Sequence, residues 1–279
     1  MREDLENRHS DERLRFRLGT TSYIIPDDLI PNLHYLGGKV DDVELVLFES
    51  HGRSNMPSPA DVAEMVHIAE SKGLTYTVHL PLDTRLGSAD EMERTRSVDK
   101  CLRVMNLMSP AAPFAWILHL HGDRRGDPPS GDPARWIARN RYSLTELLTA
   151  SAVDPRRICI ETLDYDFNLA AGLVEDFDLS VCLDIGHLLL YGRDVSAHLD
   201  RWFDRARVFH IHGVLPDGTD HVSLRHLGQG VIEELADRLR RLPVEDVRVV
   251  TMEIFGQADF HDSMRVLQER LFSDQAFCL

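Results

Sequence analysis

Eight short runs rich in β-branched and apolar residues recur along the chain at a spacing of about 30 residues, each followed by a longer amphipathic stretch. No other feature limits the possible folds so strongly. The runs predict strands over 17–22, 43–49, 74–80, 114–121, 157–161, 180–184, 208–212 and 247–254. The stretches between them predict helices over 27–37, 58–72, 88–107, 132–151, 167–177, 187–204, 229–241 and 260–272, several opened by Pro, Ser or Asp. Eight strand–helix units in order imply a closed (β/α)8 barrel, for which 279 residues is an ordinary length. An open doubly wound sheet usually has fewer units and a Gly-rich first turn, and neither G-x-G-x-x-G nor G-x-x-x-x-G-K-[ST] occurs.

Residues 1–14 carry no hydrophobic periodicity and are expected to form a flexible leader, with one catalytic barrel domain over 15–279. The Pro/Gly/Asp-rich segment 122–133 follows the fourth strand and is expected to loop over the barrel mouth. Thirty-one Lys plus Arg against 46 Asp plus Glu leave a net charge of −15, which disfavours a protein that coats nucleic acid. Cys101, Cys159, Cys182 and Cys278 show no C-x-x-C spacing and are read as free thiols in a reducing compartment. With no secretory h-region and no 18-residue apolar run, a cytoplasmic protein without a membrane span is expected.

Barrel enzymes place their chemistry where the strands end. Here the second strand ends in Glu49, the third in His79, the fourth in His119 and His121, and the fifth in Glu161. The sixth ends in Asp184 with His187 three residues on, the seventh in His210 and His212, and the eighth carries Glu253. One such residue is usually an ordinary hydrogen-bonded side chain, but seven successive ends are not independent accidents. Four carboxylates facing one crevice repel one another unless cations sit between them. Mixed imidazole and carboxylate donors suit Zn²⁺, Mn²⁺ or Fe²⁺ better than Mg²⁺ or Ca²⁺.

Glu161, Asp184, His210 and Glu253 end four consecutive strands and are expected to share one metal. His79 and His119 are expected to build a second beside a bridging Glu161, and His187 a third with Asp220 and His221. His121 and His212 lie two residues beyond stronger candidates, so each either replaces its neighbour or supports it from behind. Glu49 is a ligand, a substrate contact or a general base.

The strings TVH (77–79), CLDIGH (182–187) and LGQG (227–230), with the Glu161 and Glu253 strand ends, resemble the xylose isomerase-like barrel superfamily, in particular its endonuclease IV branch. The likeness runs from residue 15 to about 273 and implies a trinuclear zinc centre for phosphodiester hydrolysis. It also implies His79, His119, Glu161, Asp184, His187, His210 and Glu253 as ligands. The Asp-x-His pair of that branch is absent after the seventh strand, where Asp220 and His221 are adjacent.

Closer still, RLGTTSY (17–23), PDDLIPN (26–32), VELVLFE (43–49) and DHVSL (220–224) look like the cobamide-remodelling phosphodiesterases of the same superfamily. That resemblance implies a corrinoid substrate, cleavage of its nucleotide loop to an α-riboside and adenosylcobinamide phosphate, and two or three divalent ions per chain, with Glu49, Glu161 and His187 as catalytic candidates. A sugar isomerase or epimerase using one ion, an abasic-site endonuclease and a non-catalytic binding module are the alternatives.

Overall fold

The structure is a computed structural model and describes residues 16–50, 53–228, 230–243 and 245–271. The proposed leader over 1–14, together with His51, Gln229 and Cys278, lies outside the described residues.

Eight parallel strands close on themselves: β1 (Phe16–Thr21), β2 (Asp42–Val46), β3 (Thr75–His79), β4 (Ala115–Leu118), β5 (Ile158–Glu161), β6 (Ser180–Asp184), β7 (Ala206–Ile211) and β8 (Arg248–Met252), with β8 pairing back onto β1. Among the described residues, nine α-helices run between and after them: α1 (Leu29–Leu36), α2 (Pro59–Lys72), α3 (Glu91–Met108), α4 (Pro133–Ser151), α5 (Asn168–Asp176), α6 (Ile185–Leu190), α7 (Val195–Trp202), α8 (Val231–Arg240) and α9 (Gln257–Leu271). None of them is long and apolar enough to cross a membrane.

Period-two alternation sorts each strand into an outer and an inner face. Leu45, Val78, Leu118, Ile160, Leu183 and Phe209 pack outward with the helices in the main core. A separate core of Ala115, Ile117, Cys159, Cys182, Val208 and Val249 fills the barrel interior, as expected for a packed barrel rather than a pore. The polar residues above that plug are therefore held on its rim by closed packing below. Cys101, Cys159 and Cys182 are free, buried thiols.

The helices start where capping residues accept the first free N–H groups. Ser58 and Asp61 form a capping box for α2, Asp90 caps α3, Asp132 caps α4 and Asp194 caps α7. The helix expected over 187–204 is two helices, because Gly192 adopts φ 64° and Asp194 then caps a fresh start. Strand two also departs from expectation. Its ladder stops at Val46, and Glu49 belongs instead to a two-residue antiparallel pairing with Arg53–Ser54.

Candidate metal centre

Strand register decides which side chains meet. Asp184 on β6 is the register partner of His210 on β7, and Glu161 on β5 is level with Cys182, two residues before Asp184. His210 is also level with Thr251, which sets Glu253 two residues farther up the neighbouring strand. Ligand atoms of Glu161, Asp184, His210 and Glu253 thus lie within 4.8 Å of one another, and so do those of His79, His119 and Glu161. A third group joins His187, His212 and His221. Glu161 belongs to both of the first two groups.

These contacts leave polar atoms without hydrogen bonds. His210 Nδ1 lies 3.0 Å from Glu253 Oε2, 3.7 Å from Asp184 Oδ2 and 3.9 Å from Glu161 Oε2. Yet His210 Nδ1, Asp184 Oδ2 and Glu253 Oε2 are all buried without a hydrogen-bond partner, as are Glu161 Oε1 and His212 Nε2. An imidazole N–H points at one acceptor, whereas a cation between Nδ1 and the three carboxylate oxygens satisfies all four atoms at once. Ligand atoms of a tetrahedral zinc shell with bonds of about 2.1 Å lie about 3.4 Å apart, and the observed separations bracket that value. A divalent transition ion therefore fits the donor set.

Supporting hydrogen bonds orient the imidazoles, as they do behind most metal-ligating histidines. Glu44, fully buried on β2, sits with Oε2 2.8 Å from His210 Nε2, so a proton on Nε2 leaves Nδ1 free. His79 Nδ1 is 2.8 Å from Leu80 O, which leaves Nε2 facing Glu161 at 3.3 Å. His119 places Nε2 2.8 Å from Glu161 Oε2 and Nδ1 3.1 Å from His121 Nε2. Burial pushes His121 down to about 3, helped by His119 and Arg125, so it stays neutral and accepts from His119. Asp184 also takes the His187 backbone N–H at 2.7 Å, capping α6 and fixing its carboxylate.

Charge balance in the ion-free chain falls to the imidazoles. Burial opposes a charge on His79, but Glu161 outweighs it and holds the ring up to about 9. His187 is pushed up to about 12, against burial, by Asp184 and Glu161. Burial favours a neutral Glu161, yet His119, His187 and His79 hold its carboxyl well below the usual range.

Two expected participants lie elsewhere. Glu49 is 48 % exposed and pairs with Arg103 of α3 at 3.0 Å, so the structure does not bring it to the cluster. The strand's inward carboxylate is Glu44. Asp220 stands behind His221, 3.0 Å from its Nδ1, and His212 takes its place in the third group. Cys182 completes a further grouping with Glu161 and His210, although burial holds its thiol well above the ordinary range.

Gly186 makes room for His212: a Cβ there would stand 2.2 Å from two atoms of the ring. Gly186→Ala is therefore expected to displace His212 and remove about one bound ion per chain, with a destabilisation of about 1–3 kcal/mol typical of overpacking. Metal analysis of the purified variant is the check, and a metal content equal to wild type would show that His212 holds no ion.

Closed barrel and buried imidazole–carboxylate rim together define a (β/α)8 protein with the donor set of a transition-metal site. The sequence model of the xylose isomerase-like TIM barrel matches residues 36–270, and the chain belongs to that family. Similar solved structures include a D-tagatose 3-epimerase-like protein (17% identity, 92% of this chain and 98% of that one, TM-score 0.73). Endonuclease IV from Thermus thermophilus is another (22%, 92% and 99%, TM-score 0.63). The 3-keto-D-glucoside 4-epimerase YcjR from E. coli is a third (13%, 91% and 98%, TM-score 0.67). At these identities the likeness is one of fold. No curated protein sequence matches the chain significantly.

Proposed function

We propose that this chain is a cytoplasmic, metal-dependent phosphodiesterase that opens the nucleotide loop of cobamides, releasing an α-riboside and leaving adenosylcobinamide phosphate. The observation that carries the hydrolytic reading is Glu161 shared between two ligand groups, with three further imidazoles gathered beside them. A reaction using one ion needs only Glu161, Asp184, His210 and Glu253. The corrinoid specificity rests on the sequence resemblance, and the rim supports it. Tyr23, Leu82 and Phe255 lie in the loops after β1, β3 and β8 and Tyr191 in the turn that ends α6, with Leu82 47%, Tyr191 44% and Phe255 44% exposed. A broad, partly apolar ring system has surface to rest on there.

Divalent cations held by these groups supply Lewis acidity and a charge clamp for the phosphate oxygens. Glu161 is the carboxylate placed to serve two positions at once. Glu44 fixes the His210 ring, and Leu80 O and His121 fix His79 and His119, so the donor atoms need no rearrangement when substrate arrives. When the third group holds no ion, His187, 14% exposed and beside Asp184 and Glu161, is the imidazole placed to exchange a proton with the leaving ribose oxygen.

A second reading is a one-ion sugar epimerase, favoured by the completeness of the Glu161, Asp184, His210 and Glu253 group on its own. Net charge of −15 weighs against a duplex DNA substrate. Metal-replete protein incubated with adenosylcobalamin, other cobamides, ketoses and an abasic-site duplex, with products separated by chromatography, decides among them. Release of an α-riboside, with two or three ions per chain, is the expected result. Ketose conversion or duplex nicking without any riboside overturns it.

A further inference from the structure

At the opposite end of the barrel, three guanidinium groups converge, and among the described residues no carboxylate lies within ion-pair distance of any of them. Arg17 lies at the start of β1, Arg157 just before β5 and Arg207 at the start of β7, and all three line one cavity of about 350 Å³ with Phe114, Thr75 and Tyr76. The Arg17 and Arg207 guanidiniums stand 5.3 and 3.9 Å from the Phe114 ring centre. Arg207 Nε donates to Phe114 O at 3.1 Å, and Arg157 donates to Pro113 O. Among the described residues none of the three forms an ion pair, and Arg17 makes no hydrogen bond through its side chain. Asp42 and Asp154 interact electrostatically with Arg17 and Arg207 respectively but pair with neither: Asp42 Oδ2 accepts from Thr75 Oγ1 while its buried Oδ1 has no partner, and Asp154 accepts from Arg156 N.

In a chain whose acids outnumber its bases by 15, this grouping is unusual. Arg248, which acts on the same group, has Asp246 at 2.5 Å. Burial lowers the Arg207 guanidinium below its usual range, and Arg157 and Arg248 add to that. The Phe114 π face offsets part of the repulsion, but it supplies no acceptor for the N–H forks.

We propose that this cavity binds a phosphate-bearing anion, at a site distinct from the metal groups on the other rim. The guanidinium fork matches phosphate oxygens in a way a lone ammonium does not. The volume is at the small end of ligand pockets, so it suits inorganic phosphate or a small organic phosphate rather than a nucleic acid strand. None of the residues lining it belongs to a metal-ligand group.

The test uses the full-length, metal-loaded protein and inorganic phosphate, with ionic strength held constant by potassium chloride. The thermal midpoint is followed as phosphate rises, and affinity is measured by calorimetry. Because phosphate also reaches the metal groups, the comparison is with R17Q and R157Q, neither of which touches a ligand residue. Wild type is expected to gain stability with phosphate. Each variant is expected to lose about tenfold or more in phosphate affinity, the scale of one hydrogen bond to a charged group, with unchanged metal content. Among the described residues Arg17 makes no side-chain hydrogen bond, so R17Q loses only its Phe114 and Asp42 interactions and is expected to stay folded with a midpoint near wild type without phosphate, which keeps the test sound if R157Q folds poorly. A wild-type midpoint indifferent to phosphate, or an R17Q curve that overlays the wild-type one, overturns the proposal.

Discussion

Glu161→Ala is expected to lose bound metal and turnover together. The side chain is fully buried, carries one oxygen without a partner, and supplies an atom to both the His79–His119 group and the Asp184–His210–Glu253 group. Its removal takes a ligand from two positions and leaves His79 and His119 facing each other, with ring centres 4.7 Å apart and no intervening carboxylate. Turnover should fall by roughly 10²–10³-fold, the scale of losing a preorganised electrostatic group, and metal content should fall by at least one ion. Glu49→Ala, at the exposed pair with Arg103, is the matched control and should keep most of the activity. A fully active Glu161→Ala, or an inactive Glu49→Ala of normal stability, would reverse these assignments.

Removing the ions from wild type should lower its thermal midpoint by about 10 °C. Ligand present at about a thousand times its dissociation constant contributes about 4 kcal/mol to the folded state, and a domain of this size shifts by about 2–4 °C per kcal/mol. The physical source is the buried set Glu44, Glu161, Asp184 and Glu253, whose mutual repulsion the cations relieve. Differential scanning calorimetry before and after chelation and dialysis reads the effect, and re-addition of zinc should restore it. An unchanged midpoint would mean that the imidazoles alone hold the rim together.

Proton linkage gives the sign of the pH dependence. In the ion-free chain burial opposes the charge on His79 and His221, but Glu161 and Glu253 respectively outweigh it, and each ring is held up to about 9. At pH 7 both carry a proton that an entering cation must displace. Apparent metal affinity should therefore rise from pH 7 toward 9, and loading should acidify a weakly buffered solution. A flat profile measured by competition with a chromophoric chelator would contradict this.

The barrel was legible because its two periodicities are so regular. Alternation in the strands and capping residues before the helices are local signals, and closed topology follows from counting units. Glu44 shows where reading strand ends failed. Within VELVLFE the outward residues are Val43, Leu45 and Leu47, so period two alone directs Glu44 inward; choosing the last polar residue of the run selected Glu49, past the end of the ladder. His212 in place of Asp220 was less accessible to sequence reasoning, since it depends on a close approach to Gly186 that only the folded backbone reveals. Gly192 needed only its left-handed conformation to split one expected helix in two.

Six different strands contribute to the rim, from His79 on β3 to Glu253 at the end of β8. The Glu161–Asp184–His210–Glu253 group is therefore incomplete until the eighth strand has folded beside the seventh, whereas the His79–His119–Glu161 group needs only the third to the fifth. An ion held by the four-residue group would report that the eighth strand is in place.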